Sequence, residues 1–526
     1  MLVTLPVVLP MLAAAICIAA WGRPRLHAAV AVIASAVCFA LAVALLFHVR
    51  ANGIQSVDMG GWSAPFGITL VADLLGAIML VLGTGMGLAA CIYSTAAADL
   101  GRVTFGHYPL MLCLNAAISG SFLAGDLFNL YVWFELMLLS SFVLLTLGGE
   151  RAQIEGAIKY VTLNLLSSVL FLSTVGLVYA TTGSLNMADL AIQLDAIEDP
   201  AFTTAIGLPL LVAFSIKAAV FPVFFWLPSS YHTPPPVVSA LFAGLLTKVG
   251  VYAIIRATTL MFDQEWALLA DGILLIAGLT MVSGVFGAIV QNDMRRILSF
   301  HIVSQIGYML MGLGIALEVL QSAEDPAAAA PQAAVIALGG AIFYIIHHII
   351  AKTNLFLAAG AVHKLTGTCD LKAVSGLSRT HPILAGLFLI SALALAGIPI
   401  LSGFWAKLAL VRGGLEAETH GIVAVSLVVS IMTLYSMAKI WVNVFWGEPT
   451  HPDRDALPRL GPAILGPMAA LAIANILIGV GAAPVYDLAE ATALQLFDQQ
   501  EYIEAVLGEQ ALDAATEPNE PAGQTP

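Results

Sequence analysis

The sequence predicts an all-α polytopic membrane protein with fourteen transmembrane helices. Hydrophobic residues make up 60% of the 526 residues and charged residues only 10%, with a mean hydropathy of +0.94, whereas a soluble domain carries about 25% charged residues. Apolar runs long enough to cross a bilayer, which takes about 20 residues, recur as far as residue 484. The net charge of −13 excludes a basic surface for nucleic acids.

Fourteen apolar runs qualify as membrane spans. The first is interpreted as a retained helix and not as a cleaved signal, because no Lys or Arg precedes it and Arg23 and Arg25 follow it. The predicted spans lie near residues 2–21, 27–48, 71–94, 108–125, 127–147, 157–181, 203–227, 236–259, 267–290, 297–317, 333–362, 383–411, 420–447 and 463–484.

The basic residues outside the apolar runs predict the orientation of the spans. With the N-terminus outside, Arg50, Arg256 and Arg412 fall on the outer side and twelve basic residues fall on the inner side. Because basic residues accumulate in cytoplasmic loops, this bias predicts a cell-membrane protein with an even number of spans and both termini outside. The twelve inner residues are Arg23, Arg25, Arg102, Arg151, Lys159, Arg295, Arg296, Lys364, Lys372, Arg379, Arg454 and Arg459.

Two spans share an interrupted design. The seventh has Lys217 five residues before Pro222, and the twelfth has Lys407 eight residues after Pro399. Proline frees backbone groups that must then line a polar cavity. The two spans are five apart, and an odd offset inverts the topology, which favours two inverted five-helix repeats, spans 4–8 and 9–13. Two unrelated proline kinks are the alternative, because the order of lysine and proline differs between the spans.

This interpretation divides the chain into five parts. Residues 1–107 form an N-terminal three-helix segment, 108–260 the first five-helix repeat, 261–447 the second, and 448–484 the last transmembrane helix. Residues 485–526 form an acidic extracytoplasmic tail, whose end at 516–526 is predicted to be disordered. Within the tail, 486–507 is expected to be either an amphipathic surface helix or a docking segment.

Five lysines lie inside the apolar runs, where charge is costly: Lys217, Lys248, Lys352, Lys407 and Lys439. An arginine stays charged, whereas a lysine removed from water can release and regain a proton. A row of such amines within a membrane therefore predicts a proton path. Lys439 is nearer to a span end than the others and is interpreted as an anchor.

Glu135 lies near the middle of the fifth span, in "LFNLYVWFELMLLSSF", and needs a partner there. Lys217 is the predicted partner, since a pair at ~4 Å in an effective dielectric of about 20 attracts by about 4 kcal/mol. Pairing would hold Lys217 charged, and separation would let it release its proton. A static ion pair between helices is the alternative.

Further polar residues extend this row. Lys248 lies one span after Lys217 and must face a polar seam. His348 and Lys352 are four residues apart on one helix face, and histidine suits a relay because it titrates near neutral pH. His232, in "SSYHTPPP", is near an inner loop and is interpreted as a proton entrance, with an ordinary loop histidine as the alternative. His301, which opens the tenth span, is expected at the membrane interface.

Other acidic and sulfur-containing residues indicate no metal or cofactor. Asp73 and Asp126 either line entrances or cap helices. The five cysteines form no CxxC and no cluster with histidine, so no metal site, disulfide frame or cofactor is predicted.

At these residues the chain resembles the antiporter-like subunits that respiratory complex I shares with the multisubunit Mrp cation/proton antiporters. The motifs are "FELMLLSSF", "SIKAAVFPVFFWLPSSYHTPPPVVSALFAGLLTKVGVY", "RRILSFHIVSQIGYMLMGLG", "HHIIAKTNLFL" and "AGIPILSGFWAK", and the match extends to about residue 480. The phrases "LLTLGGERAQIEGAIKYV" and "GSLNMADL" are most similar to the D-type subunits of the Mrp antiporters. The resemblance implies fourteen helices with two inverted repeats.

The resemblance also implies roles and partners. Glu135 with Lys217 would be the input pair, Lys248 and His348 the relay, and Lys407 the exit site. The chain would be a proton-translocating subunit of a Na⁺/H⁺ antiporter that assembles with other Mrp-type subunits and catalyses no chemical reaction. The alternatives are a proton-pumping subunit of a quinone-linked NADH dehydrogenase-type complex and a scaffold subunit without transport.

Overall fold

The computed structural model describes residues 1–197, 199–262, 266–323, 330–450 and 458–508, and these are mainly helical. Two predictions fall outside the described residues: the inner-side position of Arg454 and the disorder at 516–526. The helices are α1 Leu5–Ala19, α2 Pro24–Asn52, α3 Leu74–Ala97, α4 Leu100–Thr104, α5 His107–Leu123, α6 Leu127–Thr146, α7 Arg151–Thr182, α8 Met187–Asp195, α9 Pro200–Ala218, α10 Trp226–Ser230, α11 Pro236–Met261, α12 Trp266–Ile289, α13 Met294–Gln321, α14 Gln332–Thr366, α15 Leu377–Thr380, α16 Pro382–Ala396, α17 Ser402–Glu416, α18 His420–Phe445, α19 Pro462–Val480, α20 Ala482–Phe497 and α21 Gln499–Leu507.

The helices confirm a polytopic membrane architecture. Each predicted span coincides with a helix or with a helix pair, and eleven helices within the described ranges are long and apolar enough to cross a bilayer. The three other predicted spans correspond to α1, with 15 residues, α5, with 17 residues, and the twelfth span, which is split into α16 and α17.

Two elements between the predicted spans differ from the sequence-based expectation, and the tail forms helices that pack on the chain. A short antiparallel hairpin, β1 Gln55–Asp58 with β2 Thr69–Ala72, departs from the all-α prediction. Helix α8 lies between the sixth and seventh predicted spans, where no helix was predicted, and the Asn186 side chain caps it by accepting from Ala188 N at 3.0 Å. In the tail, α20 and α21 dock onto the chain itself, and Ser56 Oγ donates to the Ala505 carbonyl at 2.6 Å.

Both spans that were predicted to be broken are interrupted. Helix α9 ends at Ala218, and Ala219 takes a left-handed conformation with φ 60° before α10 begins. Helix α16 ends at Ala396, and Gly397 and Ile400 have φ of 90° and 77° before α17 begins. Each interruption leaves backbone carbonyls without a helical partner inside the bundle.

The centre of the bundle is built from α11, α13 and α14. The apolar stretch of α11 is entirely buried and that of α14 is 94% buried, whereas those of α2, α12 and α18 are 33% buried. Helix α11 also contains π-helical turns at Phe242–Leu246 and Ala257–Met261, a geometry that is frequent at functional sites. The central helices therefore carry the side chains that are shielded from lipid, and the peripheral helices present apolar faces outward.

The break between α16 and α17 yields a stability prediction. Ile400 is 69% exposed at φ 77°, where an L-residue pays about 1–2 kcal/mol and a β-branched one is unusual. Ile400→Gly is expected to keep or raise the thermal midpoint of the purified protein, measured by differential scanning fluorimetry. The matched control is Ile431→Gly, also 69% exposed but inside α18, where glycine costs about 1 kcal/mol. Equal losses at both positions would contradict the assignment of strain to Ile400.

Candidate functional site

Lys217 lies in the last turn of α9, directly before the break. Its side chain is 4% exposed, and its Nζ donates to Ser168 Oγ of α7 at 3.4 Å. The Nζ also lies 5.8 Å from the centroid of the Phe134 ring, within cation–π range. The amine is thus held by a neutral hydroxyl and an aromatic face.

Glu135 does not pair directly with Lys217, which corrects the predicted ion pair at ~4 Å. No described carboxylate forms a salt bridge with Lys217, although the Glu135 charge acts on it over a longer distance. The rings of Phe134, Phe171 and Phe214, from α6, α7 and α9, are in mutual contact where these helices meet, and they fill the space beside the two side chains. Glu135 is half-buried, and its Oε1 is buried without a hydrogen-bond partner.

Lys248 is fully buried in α11. Its Nζ donates to the Ala243 carbonyl at 2.6 Å. Ala243 belongs to the π-helical turn Phe242–Leu246, five residues before the lysine. A π-turn disturbs the regular i to i−4 ladder, so the local backbone offers the buried amine an acceptor.

Close helix packing brings Lys217 and Lys248 to neighbouring positions. Gly250 faces the end of α9, and a Cβ atom there would lie 2.5 Å from Ala218 N and 3.0 Å from Lys217 C. Only a residue without a side chain permits this approach. The end of α9 therefore lies directly against the turn of α11 that follows Lys248.

Helix α14 brings three titratable side chains into the core. His347, His348 and Lys352 are each 0% exposed. The Lys352 Nζ donates to the Leu298 carbonyl of α13 at 3.1 Å, and neither ring nitrogen of His348 has a hydrogen-bond partner. Lys352 and His348 both interact electrostatically with Lys248. The predicted shared face of His348 and Lys352 is therefore joined to α11.

His347 is held by a short polar chain. Ser402 Oγ donates to Asn475 Oδ1 at 2.8 Å and also lies 2.8 Å from His347 Nδ1. Because a hydroxyl has one proton to donate, Nδ1 of His347 is the donor to Ser402. Its Nε2 is then an acceptor, and it is buried without a partner.

Lys407 ends the row, beside the break of the twelfth span. Its side chain is 9% exposed, and its Nζ donates to the Ala396 carbonyl at 3.2 Å, at the open end of α16. The Nζ lies 5.0 Å from the centroid of the Tyr308 ring. His301 and His347 interact electrostatically with both Lys352 and Lys407. Longer-range electrostatic interactions thus link the buried titratable groups between Lys248 and Lys407.

Two predicted residues lie apart from this row. Lys439 donates to the carbonyls of Ile289 and Gln291 at 2.9 and 2.6 Å, so it closes the C-terminal end of α12, where a cation is favourable. His232 lies between α10 and α11, half-buried, with Nδ1 2.9 Å from the Pro228 carbonyl.

Sequence reasoning missed several members of the site. His301 was expected at the interface but is 0% exposed, with Nε2 2.6 Å from Ser436 Oγ. The Tyr344 hydroxyl bonds to Gln305 Oε1, and the Tyr344 ring stacks on Tyr308 at 5.1 Å. The signal was present, because polar residues recur in "SFHIVSQIGY" within an otherwise apolar span.

Arg256 and Asp73 form a second departure. Arg256 was placed among the outer basic residues, yet it is 4% exposed and forms a salt bridge with Asp73. Asp73 also caps α3 by accepting from Gly76 N at 2.8 Å, so the capping interpretation is confirmed for it. Asp126 caps α6 in the same way, by accepting from Asn129 N at 2.7 Å.

A polar cavity of about 280 Å³ opens at the bundle end where α4, α11, α13 and α14 meet. Three cationic side chains that were predicted to share one side of the membrane line it, and they come from three helices. The buried groups His107 Nδ1 and Gln153 Oε1 also lie along it without hydrogen-bond partners. The three cations are Arg102, Arg295 and Lys364.

The chain shares sequence and fold with proteins of known class. The family described as "NADH:quinone oxidoreductase/Mrp antiporter, TM" matches residues 124–324 and 327–433. The D-type subunit of a Na(+)/H(+) antiporter from Alkalihalophilus pseudofirmus is 42% identical over 97% of this chain and 99% of its own length.

Solved structures agree with the sequence relatives. A chain in the structure of the Mrp complex from Dietzia sp. DQ12-45-1b superposes with a TM-score of 0.87 and 33% identity, covering 96% of this chain and 99% of that one. A chain of respiratory complex I from Thermus thermophilus shares the fold, with a TM-score of 0.79 at 23% identity over 94% of this chain and all of that one. This chain therefore belongs to the NADH:quinone oxidoreductase/Mrp antiporter family and, within it, to the D-type antiporter subunits.

Proposed function

We propose that this chain is a proton-translocating membrane subunit of a multisubunit Na⁺/H⁺ antiporter, a secondary transporter without a chemical reaction of its own. The observation that carries the proposal is the set of buried titratable groups from Lys248 through His348 to Lys407, on helices α11, α14 and α17, with α14 packed against both of the others. Buried ionisable groups are expensive and are functional by default in a membrane. The Na⁺ and antiport assignments follow the name of the 42% identical relative.

The mechanism follows from how each amine is held. Lys217, Lys248, Lys352 and Lys407 donate to hydroxyl or carbonyl oxygens and not to carboxylates. Such neutral acceptors solvate an amine without fixing its charge as a salt bridge would. A change at Glu135 then alters the field at Lys217, and like charges along the row repel one another, so a proton arriving at one site favours departure from the next.

Histidines connect the lysines. His348 has two buried ring nitrogens without protein partners, and His347 and His301 each have one. Buried polar atoms are nearly always hydrogen-bonded, so these sites are where water bridges between the lysines belong. A neutral imidazole donates from one nitrogen and accepts at the other, which allows it to pass a proton between Lys248 and Lys407.

His232 and the polar cavity are proposed as the cytoplasmic entrance. Thr233, next to His232, lines the cavity, and burial together with Arg296 lowers the pKa of His232 below its usual value. A histidine that is neutral near pH 7 can accept a proton from the cytoplasm. The convergence of Arg102, Arg295 and Lys364 at this end supports the orientation with both termini outside.

The finer architecture is part of the same proposal. Two inverted five-helix repeats, 108–260 and 261–447, within a chain of fourteen spans account for interruptions five spans apart, each with a lysine beside it. The five-part division of the chain is completed by the N-terminal segment 1–107, the last helix within 448–484 and the acidic tail from 485. We further propose that the chain resides in the plasma membrane and binds other Mrp-type subunits through its apolar outer faces.

A redox-linked pumping complex remains the competing assembly, because the fold is shared with respiratory complex I. The higher identity and TM-score of the Mrp complex favour the antiporter. Co-purification of small hydrophobic subunits supports the antiporter, and recovery of hydrophilic redox subunits would reverse this assignment.

The relay predicts which substitutions stop transport. Glu135→Ala, Lys217→Ala and Lys407→Ala are each expected to reduce Na⁺-driven proton exchange in membrane vesicles to background, because the lysine variants each remove a proton-carrying site and Glu135→Ala removes the charge that acts on Lys217. The exchange is measured by quenching of a pH-sensitive dye, and assembly by native gel electrophoresis.

Lys439→Ala is the matched control. It removes an amine that also bonds backbone carbonyls but lies outside the row, so exchange should stay within about twofold of wild type if the complex assembles. Normal exchange in all three relay variants would exclude the relay and leave a scaffold role.

His232 predicts a pH dependence of stability. The pKa of His232 is lowered in the folded protein. Below about pH 6.5, the pKa of histidine in the unfolded chain, the unfolded state therefore binds a proton more readily than the folded state does. The free energy of unfolding is therefore not reduced by His232 above about pH 6.5, and it falls as the pH drops below that value. His232→Gln should flatten the fall in thermal midpoint between pH 7 and pH 5.5. Arg296→Gln should flatten it partly, and identical slopes in all three proteins would show that His232 is not perturbed.

A further inference from the structure

The salt bridge between Asp73 and Arg256 is not used by the proposed relay. The two side chains are 3% and 5% exposed. Removing one partner of a buried ion pair strongly destabilises the folded protein, because the other charge is left unpaired in a medium of low polarity. Arg256 lies near the C-terminal end of α11, the helix that carries Lys248.

One face of α11 connects the relay to this pair. Lys248, Tyr252 and Arg256 follow one another at steps of four residues, so they lie on the same helix face and span about 12 Å. The Tyr252 hydroxyl donates to the Phe122 carbonyl at 3.0 Å, and its ring centroid is 5.7 Å from the Arg256 guanidinium. The face is therefore polar from the relay to the end of the helix.

The C-terminal segment covers the far side of the pair. The ring of Tyr502 in α21 lies 5.0 Å from the Arg256 guanidinium, and Tyr502 is itself 3% exposed. Gln499 donates to the Thr259 carbonyl of α11 at 3.0 Å, and Gln495 accepts from Leu74 N of α3 at 2.8 Å. The segment is thus fastened to both helices that contribute the ion pair.

We propose that Asp73 and Arg256 form a gate at the outer end of the relay and that Tyr502 is its lid. The inference rests on the proposed function and adds to it an opening beside Lys248, at the opposite end of the row from Lys407. Arginine keeps its charge, so Asp73 is the member that exchanges a proton with the relay. The Tyr502 ring keeps water from the pair until α21 moves, and the salt bridge to Arg256 holds the Asp73 carboxylate in place while the gate is closed.

The first test separates a gate from a static fastening between α3 and α11. Asp73→Asn, Arg256→Gln and the double variant are assembled into the complex, and Na⁺-driven proton exchange is measured in vesicles. Asparagine still caps α3, and the double variant leaves no unpaired buried charge. A gate predicts that the assembled double variant exchanges at least tenfold more slowly than wild type. Recovery to the wild-type rate in the double variant would overturn the gate.

The second test reports on the lid without transport. Thr259, 3% exposed beneath the C-terminal segment, is replaced by cysteine, and its labelling by a membrane-impermeant thiol reagent is followed in the full complex. Tyr502→Leu should speed labelling at least tenfold. Val506→Ala, which trims another buried residue of α21, should not. Equal labelling rates with tyrosine and leucine at 502 would exclude the lid, whatever the result for the relay variants.

Discussion

The constraint on which the site depends is that each buried lysine amine must find an oxygen without finding a permanent counter-ion. For Lys248 and Lys407 the bundle meets it with irregular backbone. Lys248 donates into a π-helical turn of its own helix, Lys407 donates to the open end of α16, and Lys352 donates to a carbonyl of α13. A buried donor without an acceptor costs about 1–3 kcal/mol, so the breaks and π-turns stabilise the amines. A salt bridge in their place would hold each lysine charged and would oppose proton transfer.

The same constraint explains the packing of the central helices. Gly250 lets the end of α9 touch α11 beside Lys248, and a Cβ at Gly403 would lie 2.8 Å from His347 Nε2. Small residues at these crossings bring polar side chains of different helices together and keep lipid away from them. The peripheral helices, by contrast, carry most of the exposed large apolar side chains. The chain therefore has a polar axis within an apolar exterior, which suits one subunit of a larger membrane assembly.

Much of this arrangement is predictable from the sequence, because intramembrane lysines and prolines are rare enough to stand out. The spans, both interruptions, and the shared face of His348 and Lys352 follow from periodicity and residue type alone. The sequence does not predict which atom accepts each hydrogen bond. The direct Glu135–Lys217 pair was wrong because the rings of Phe134, Phe171 and Phe214 pack together where α6, α7 and α9 meet, a fact of packing that no local pattern encodes. His301 was expected at the membrane interface and Arg256 on the outer side because each lies near a predicted span end, whereas neighbouring elements bury both. The hairpin and α8 were missed because short elements between spans carry little periodicity.

The central claim is that the buried lysines and histidines act as one proton-conducting row that Glu135 controls. The most direct measurement is ¹⁵N nuclear magnetic resonance of the lysine side-chain nitrogens in the assembled complex, with and without an imposed pH gradient, in wild type and in Glu135→Gln. The account predicts that the Lys248 and Lys407 resonances respond to the gradient in wild type and stop responding in the variant. Resonances that are insensitive to the gradient in wild type, or that respond equally in both proteins, would contradict it.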